Sequence, residues 1–105
     1  ISETEGELRE ASNYYEKAIE ADPKNGEAYY NLGNVYAALG QNPEAMASYL
    51  KTVGLNPNHQ NAYVNLSILS FKLHDTKGAI RYLEKAQGLG YNPPIEYLKS
   101  LEPYR

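Results

Sequence analysis

The residues of this chain with chemistry to offer are two histidines, a few serines and its glycines, and their spacing argues against a reaction centre. His59 and His74 both fall in turn segments. A zinc site takes three or four ligands, and Asp75 beside His74 does not complete such a set, so both histidines are expected to be exposed turn residues. A Ser-His-Asp arrangement needs a serine on a sharp turn near a histidine and a buried aspartate, whereas Ser67 and Ser70 fall in a packed helical stretch. Gly26, Gly33 and Gly40 are spaced by seven, and Gly88-Leu89-Gly90 has no Lys-Ser/Thr after it, so neither group forms a phosphate-binding loop. The chain has no cysteine, which removes disulfides, thiolate metal sites and cysteine nucleophiles. Asn65-Leu66-Ser67 matches a glycosylation triplet, but its place inside a packed helix makes the match a coincidence. The expectation is a protein with no catalytic residues, no metal site and no cofactor.

Composition narrows the class further. The 105 residues are 42% hydrophobic and 22% charged, in keeping with one small folded domain. Ten Lys and Arg against 13 Asp and Glu give a net charge of -3, which leaves little room for a basic nucleic-acid surface. No apolar run approaches the length of a membrane span, and no signal peptide opens the chain. The lack of cysteine fits a reducing or an oxidising compartment, with the cytoplasm slightly favoured. The first residue is Ile1 rather than Met, which points to an excerpt of a longer chain. Tyrosine is the outlier, with 11 copies against one Phe and no Trp.

The elements follow from an internal repeat. Ala11, Ala45 and Ala79 stand 34 residues apart, and the same offset aligns Tyr15, Tyr49 and Leu83. It also aligns Lys17, Lys51 and Lys85, then Pro23 with Pro57, Tyr29 with Tyr63, Asn31 with Asn65 and Leu32 with Leu66. Each period holds two helices. Ala28, Leu32, Val35 and Leu39 are spaced by three or four and mark a helical face. Gly40 suits a left-handed helix end, and Asn42-Pro43 reads as an N-cap followed by proline in the first turn. The predicted helices are 6–21, 27–39, 43–54, 61–73, 76–88 and 94–101. Tyr15, Tyr29, Tyr49 and Tyr63 recur at the period and are read as packing residues whose hydroxyls reach solvent or a partner. Tyr30 follows a core tyrosine and so points to another side. Stacking on single-stranded nucleic acid also uses aromatic rings, but the acidic balance opposes it here.

This pattern resembles the tetratricopeptide repeat, a 34-residue helix–turn–helix unit. In that register 26–59 is one repeat, in which Tyr29, Leu32-Gly33, Tyr36, Ala45, Tyr49 and Pro57 fall on signature positions and Thr52 replaces a small alanine. A looser repeat covers 60–93, where Tyr63, Leu66, Ala79 and Ala86 match, while Ser67 replaces the glycine, Ser70 the tyrosine and Leu83 an aromatic. Residues 1–25 form a partial repeat that supplies a second helix, with Ile1 to Glu5 as a remnant of the missing first one. Residues 94–105 read as a capping helix, with Ile95, Leu98 and Leu101 on one side and Glu102, Tyr104 and Arg105 at a polar outer end. The implied fold is an all-α superhelix, a solenoid of antiparallel helix pairs forming one domain over 1–105.

The resemblance also implies a function. In the family, the first helix of each pair lines a concave face that binds peptides or partner proteins. Its inner-face positions fall here on Glu27, Tyr30, Asn31, Asn34, Ala37 and Ala38, then on Asn61, Val64, Asn65, Ile68, Phe71 and Lys72. The expected module is a non-enzymatic groove for a peptide or helix. Val64, Ile68 and Phe71 form its apolar strip, because Leu66, Leu69 and Leu73 can serve the core. Asn31, Asn34 and Asn65 pair with an extended backbone, and Tyr30, Asn61 and Lys72 complete the face. A family subclass clamps a C-terminal carboxylate with basic residues. Glu27, Tyr30 and Val64 occupy nearby positions here, which argues against that clamp. The alternative is a purely structural scaffold segment of a longer repeat protein. The uncovered side of Ala11, Tyr15 and Ala18 would then support a symmetric homodimer through the N-terminal edge.

Overall fold

The computed structural model describes residues 3–104; Ile1, Ser2 and Arg105, and the expectations that touch them, lie outside the described residues. Six α-helices and one short 3-10 turn make up the described secondary structure, with no strand among the described residues. They are α1 (Glu3–Ala21), α2 (Gly26–Ala38), α3 (Asn42–Leu55), α4 (Gln60–Lys72), α5 (Thr76–Gly88) and α6 (Ile95–Leu101), followed by the turn Glu102–Tyr104. The chain divides into two compact units, Ile1–Pro57 and Asn58–Arg105.

The helix ends show how the sequence writes the pairs. Gly40 (φ 77°), His74 (φ 65°) and Gly90 (φ 102°) each take a left-handed backbone just past a helix. At each, the next amide reaches back to a helical carbonyl: Gln41 N to Tyr36 O at 2.8 Å, Asp75 N to Ser70 O at 2.8 Å and Tyr91 N to Ala86 O at 3.0 Å. The left-handed residue's own amide bonds Ala37, Phe71 or Gln87, which completes a Schellman turn in all three places. His74 is the repeat equivalent of Gly40 and adopts the same conformation without glycine's freedom.

The helix starts are capped unevenly. Asn25 Oδ1 accepts from Ala28 N at 3.1 Å, His59 Nδ1 accepts from Ala62 N at 3.1 Å, and Asp75 Oδ1 accepts from Gly78 N at 3.0 Å. Asn42 was the expected cap of α3, but it is already helical; Gln41 holds the cap position and makes no side-chain cap bond. The tight turn after Gly40 leaves Gln41 as the residue with non-helical backbone, so the helix begins one residue early. Likewise α1 begins at Glu3 rather than at residue 6, so Glu3–Glu5 continue α1 and are not the remnant of another helix.

In the first unit α2 packs on α3 and α1 packs on α2. Ala28, Leu32 and Val35 meet Ala45, Tyr49 and Thr52 as the buried set. The glycine at position 33 is required: a β-carbon there would lie 2.6 Å from Tyr49 Cε1. Thr52, at a position where the repeat prefers alanine, stays satisfied by donating to Ser48 O at 3.0 Å. Tyr36 on α2 donates its hydroxyl to Glu16 on α1 at 3.1 Å.

In the second unit α4 packs on α5, and the buried set is Ala62, Tyr63, Leu66, Leu69, Ala79, Leu83, Ala86 and Leu101. The glycine–tyrosine pair of the first unit becomes Ser67 and Leu83 here. A smaller partner leaves room for a larger residue on α4, and the serine hydroxyl must then be paired. It donates to Ala79 O at 2.7 Å, and with that proton committed Tyr97 OH is the donor in the 2.8 Å contact with Ser67 Oγ. Ser70, standing for the usual tyrosine, is fully buried with no partner for its hydroxyl. Leu73, expected inward, is 42% exposed, because α4 ends at Lys72 and Leu73 already belongs to the turn.

Candidate functional site

The first helix of each pair has one face committed to the core and one turned away from it. On α4, Ala62, Tyr63, Leu66, Ser67, Leu69 and Ser70 are buried. Asn61, Val64, Asn65, Ile68, Phe71 and Lys72 follow on the other side, as their three- and four-residue spacing requires. Asn61 and Lys72 are exposed, Val64 and Asn65 are half-buried, and Ile68 is 38% exposed.

Phe71 differs from its neighbours. Its ring meets Tyr97 of α6 edge-on, with centroids 6.0 Å apart and planes at 89°, and it packs on the cluster of Ala79, Leu83 and Leu101. The sequence reading made Phe71 a strip residue that the core does not need, and the fold corrects this: α6 covers the end of α4 and makes Phe71 part of its seat. Burial is the main reason the Tyr97 hydroxyl titrates above its ordinary value, and Tyr91 adds to the shift.

On α2, Ala28, Leu32, Gly33 and Val35 are buried, while Tyr30, Asn31 and Ala37 are half-buried and Glu27, Asn34 and Ala38 are exposed. The Tyr30 ring leans on the buried Tyr49 ring at 5.7 Å and 47°. The Tyr49 hydroxyl donates to Asn34 Oδ1, so a core tyrosine orients an amide on the helix surface. Sequence reasoning named Tyr30, Asn31 and Asn34 but missed Tyr49 as the support of Tyr30 and Asn34. The signal was Gly33, whose missing side chain lets the ring through.

The remaining chemistry is structural. His59 caps α4, and His74 forms a turn. Ser67 and Ser70 are fully buried. Among the described residues, no group of three His, Cys, Asp or Glu side chains could hold a metal ion, and no helix is long and apolar enough to cross a membrane. Two shallow open depressions of about 320 Å³ each lie elsewhere. One is lined by Thr4, Glu5, Leu8, Ala38 and Leu39, the other by Ile95, Leu98, Lys99 and Glu102.

Comparison with known proteins agrees with this architecture. Models of the tetratricopeptide repeat match residues 14–47 and residues 1–25. No curated protein matches the chain. Among solved structures, one crystal structure of MamA is 28% identical, with a TM-score of 0.78 over 79% of this chain, and another is 32% identical, with 0.77 over 83%. The chain spans 48% of the length of each of these two. The first TPR of Spaghetti (RPAP3), bound to an HSP90 peptide SRMEEVD, is 24% identical with a TM-score of 0.86, covering 96% of this chain and 82% of that one. With its helix pairs, its 34-residue period and these matches, the chain belongs to the tetratricopeptide repeat family.

Proposed function

We propose that this chain is a non-enzymatic protein-interaction module that takes a peptide or a helix on the first helices of its pairs. The observation that carries the reading is the second face of α4. A helix that already buries six residues keeps Ile68 38% exposed, in line with half-buried Val64 and flanked by Asn61, Asn65 and Lys72. Apolar side chains between amides can desolvate a partner side chain while the amides pair with its backbone. On α2 the same role falls to Tyr30, Asn31 and Asn34, with Asn34 held in place by Tyr49. An orientation fixed before binding lowers the entropy that binding must overcome.

The RPAP3 repeat domain is seen with an acidic peptide. The faces described here carry Glu27, Tyr30 and Val64 where a carboxylate clamp would want cations, and Lys72 is their basic residue. The partner expected for them is therefore apolar and weakly charged, not an acidic C-terminus. The test is to select binders from an unbiased peptide library and map one by NMR on the whole chain. Amide shifts centred on residues 61–72 and 27–38 support the reading; shifts confined to α5 or α6 contradict it.

A second reading, a structural scaffold that pairs with its own copies, is favoured by α1, where Leu8, Ala11, Tyr15 and Ala18 are all only half-buried. Such pairing would use a different surface from the peptide face and would leave the α4 shifts unchanged.

A further inference from the structure

The mild overall charge hides two units of opposite sign. Ile1–Pro57 holds nine Asp and Glu against four Lys and Arg, a formal charge of -5, while Asn58–Arg105 holds four against six, a formal +2. In the second unit the cations concentrate on α5. Lys77, Arg81 and Lys85 stand four residues apart on one side of that helix, away from buried Ala79, Leu83 and Ala86. All three are exposed and, among the described residues, none forms an ion pair; Glu84, also exposed, pairs with none of them. In the first unit Glu7 and Glu10 lie on the outer side of α1 with Tyr14, which is 70% exposed, and among the described residues neither glutamate is in an ion pair.

Both stripes act against their own helices. Like charges three or four residues apart destabilise a helix by about 0.2–0.5 kcal/mol per pair. Lys77 also sits in the first turn of α5, at the end of the helix dipole that repels it. Lys85, in the last turn of α5, sits where the dipole favours a cation, but among the described residues no ion pair involves either stripe. The two stripes do match each other: Lys77 to Lys85 and Glu7 to Tyr14 each span roughly 10–12 Å of helix. An exposed tyrosine ring also offers a face on which Arg81 can stack.

We propose that the occupant of the α5 stripe is a second copy of this chain, docked through Glu7, Glu10 and Tyr14 of its α1. The contact is heterologous, so each copy keeps a free α1 or a free α5 for the next one. A symmetric pairing of two α1 helices would instead bring together two acidic segments, each with six glutamates against Arg9 and Lys17.

The test is sedimentation of the whole chain over a wide concentration range in about 0.02 M and about 0.5 M salt, which bracket weak and strong screening. Association is expected in low salt, weakening about tenfold or more in high salt. The variants K77E/R81E/K85E and E7K/E10K should each stay monomeric alone and associate when mixed. The control K24E/K51E/K99E makes the same net-charge change as the first variant and should associate like the wild type. A wild type that is monomeric throughout, association indifferent to salt, a mixture that stays monomeric, or a control that also loses association overturns the proposal. Binding of poly-glutamate to an otherwise monomeric chain would assign the stripe to an acidic partner and overturn it equally.

Discussion

At the scale of single residues, a few contacts decide both packing and surface. Gly33 is the clearest case, because Tyr49 fills the space its side chain would need and then holds Asn34. Gly33→Ala should therefore lower stability by about 1–3 kcal/mol through overpacking, measured by urea denaturation, and should also disturb the Asn34 side-chain amide signals. Ala at the equivalent position of the second unit, Ser67→Ala, removes two hydrogen bonds and no ring contact, so its effect has a different origin. Ser70 offers the opposite sign. Its hydroxyl is buried without a partner, and removing such a group relieves a desolvation cost of about 1–3 kcal/mol. Ser70→Ala is expected to leave the melting temperature unchanged or raise it. These substitutions at signature positions were legible in the sequence. Their compensations were not, because pairing of Ser67 with Ala79 and Tyr97 depends on residues 12 and 30 positions away.

At the scale of helices, the repeat made nearly every element readable. A 34-residue period fixes two helical faces at once, and the glycine and proline punctuation between them sets the turns. The misses are instructive. Asn42 has the right chemistry for a cap, but the Schellman turn after Gly40 already determines which residue is non-helical, and that residue is Gln41. Asp75 fills the same position in the next pair and makes the cap bond. Gln41→Asp should thus stabilise α3 by about 0.5–1.5 kcal/mol, read as a rise in melting temperature; a fall would show that Gln41 has another role. Phe71 was misread for a related reason. Its helical position places it on the outer side of α4, but local spacing cannot show that α6 folds back over that end. The same blindness hid the charged stripes, since net charge averages them away.

At the scale of the molecule, stability should fall in alkali. Tyr97 and Tyr36 both titrate above 10.0, in each case chiefly through burial, with the Glu16 hydrogen bond adding to the shift at Tyr36. Between the ordinary and the raised value the folded chain holds more protons than the unfolded one, so stability is full below pH about 10 and declines as pH rises through the folded values. Denaturation midpoints measured from pH about 8 to about 11 should show this decline, and it should shrink in Y36F/Y97F. A flat profile would contradict it. The central claim concerns the outer face of α4, and paired variants test it most directly. Melting temperature and affinity for a library-selected peptide should be measured on Ile68→Ala and Leu66→Ala. Ile68→Ala is expected to melt like the wild type and bind about tenfold more weakly, whereas Leu66→Ala should lose about 2–5 kcal/mol of stability by leaving a cavity. An Ile68→Ala variant that melts normally and binds normally would contradict the account.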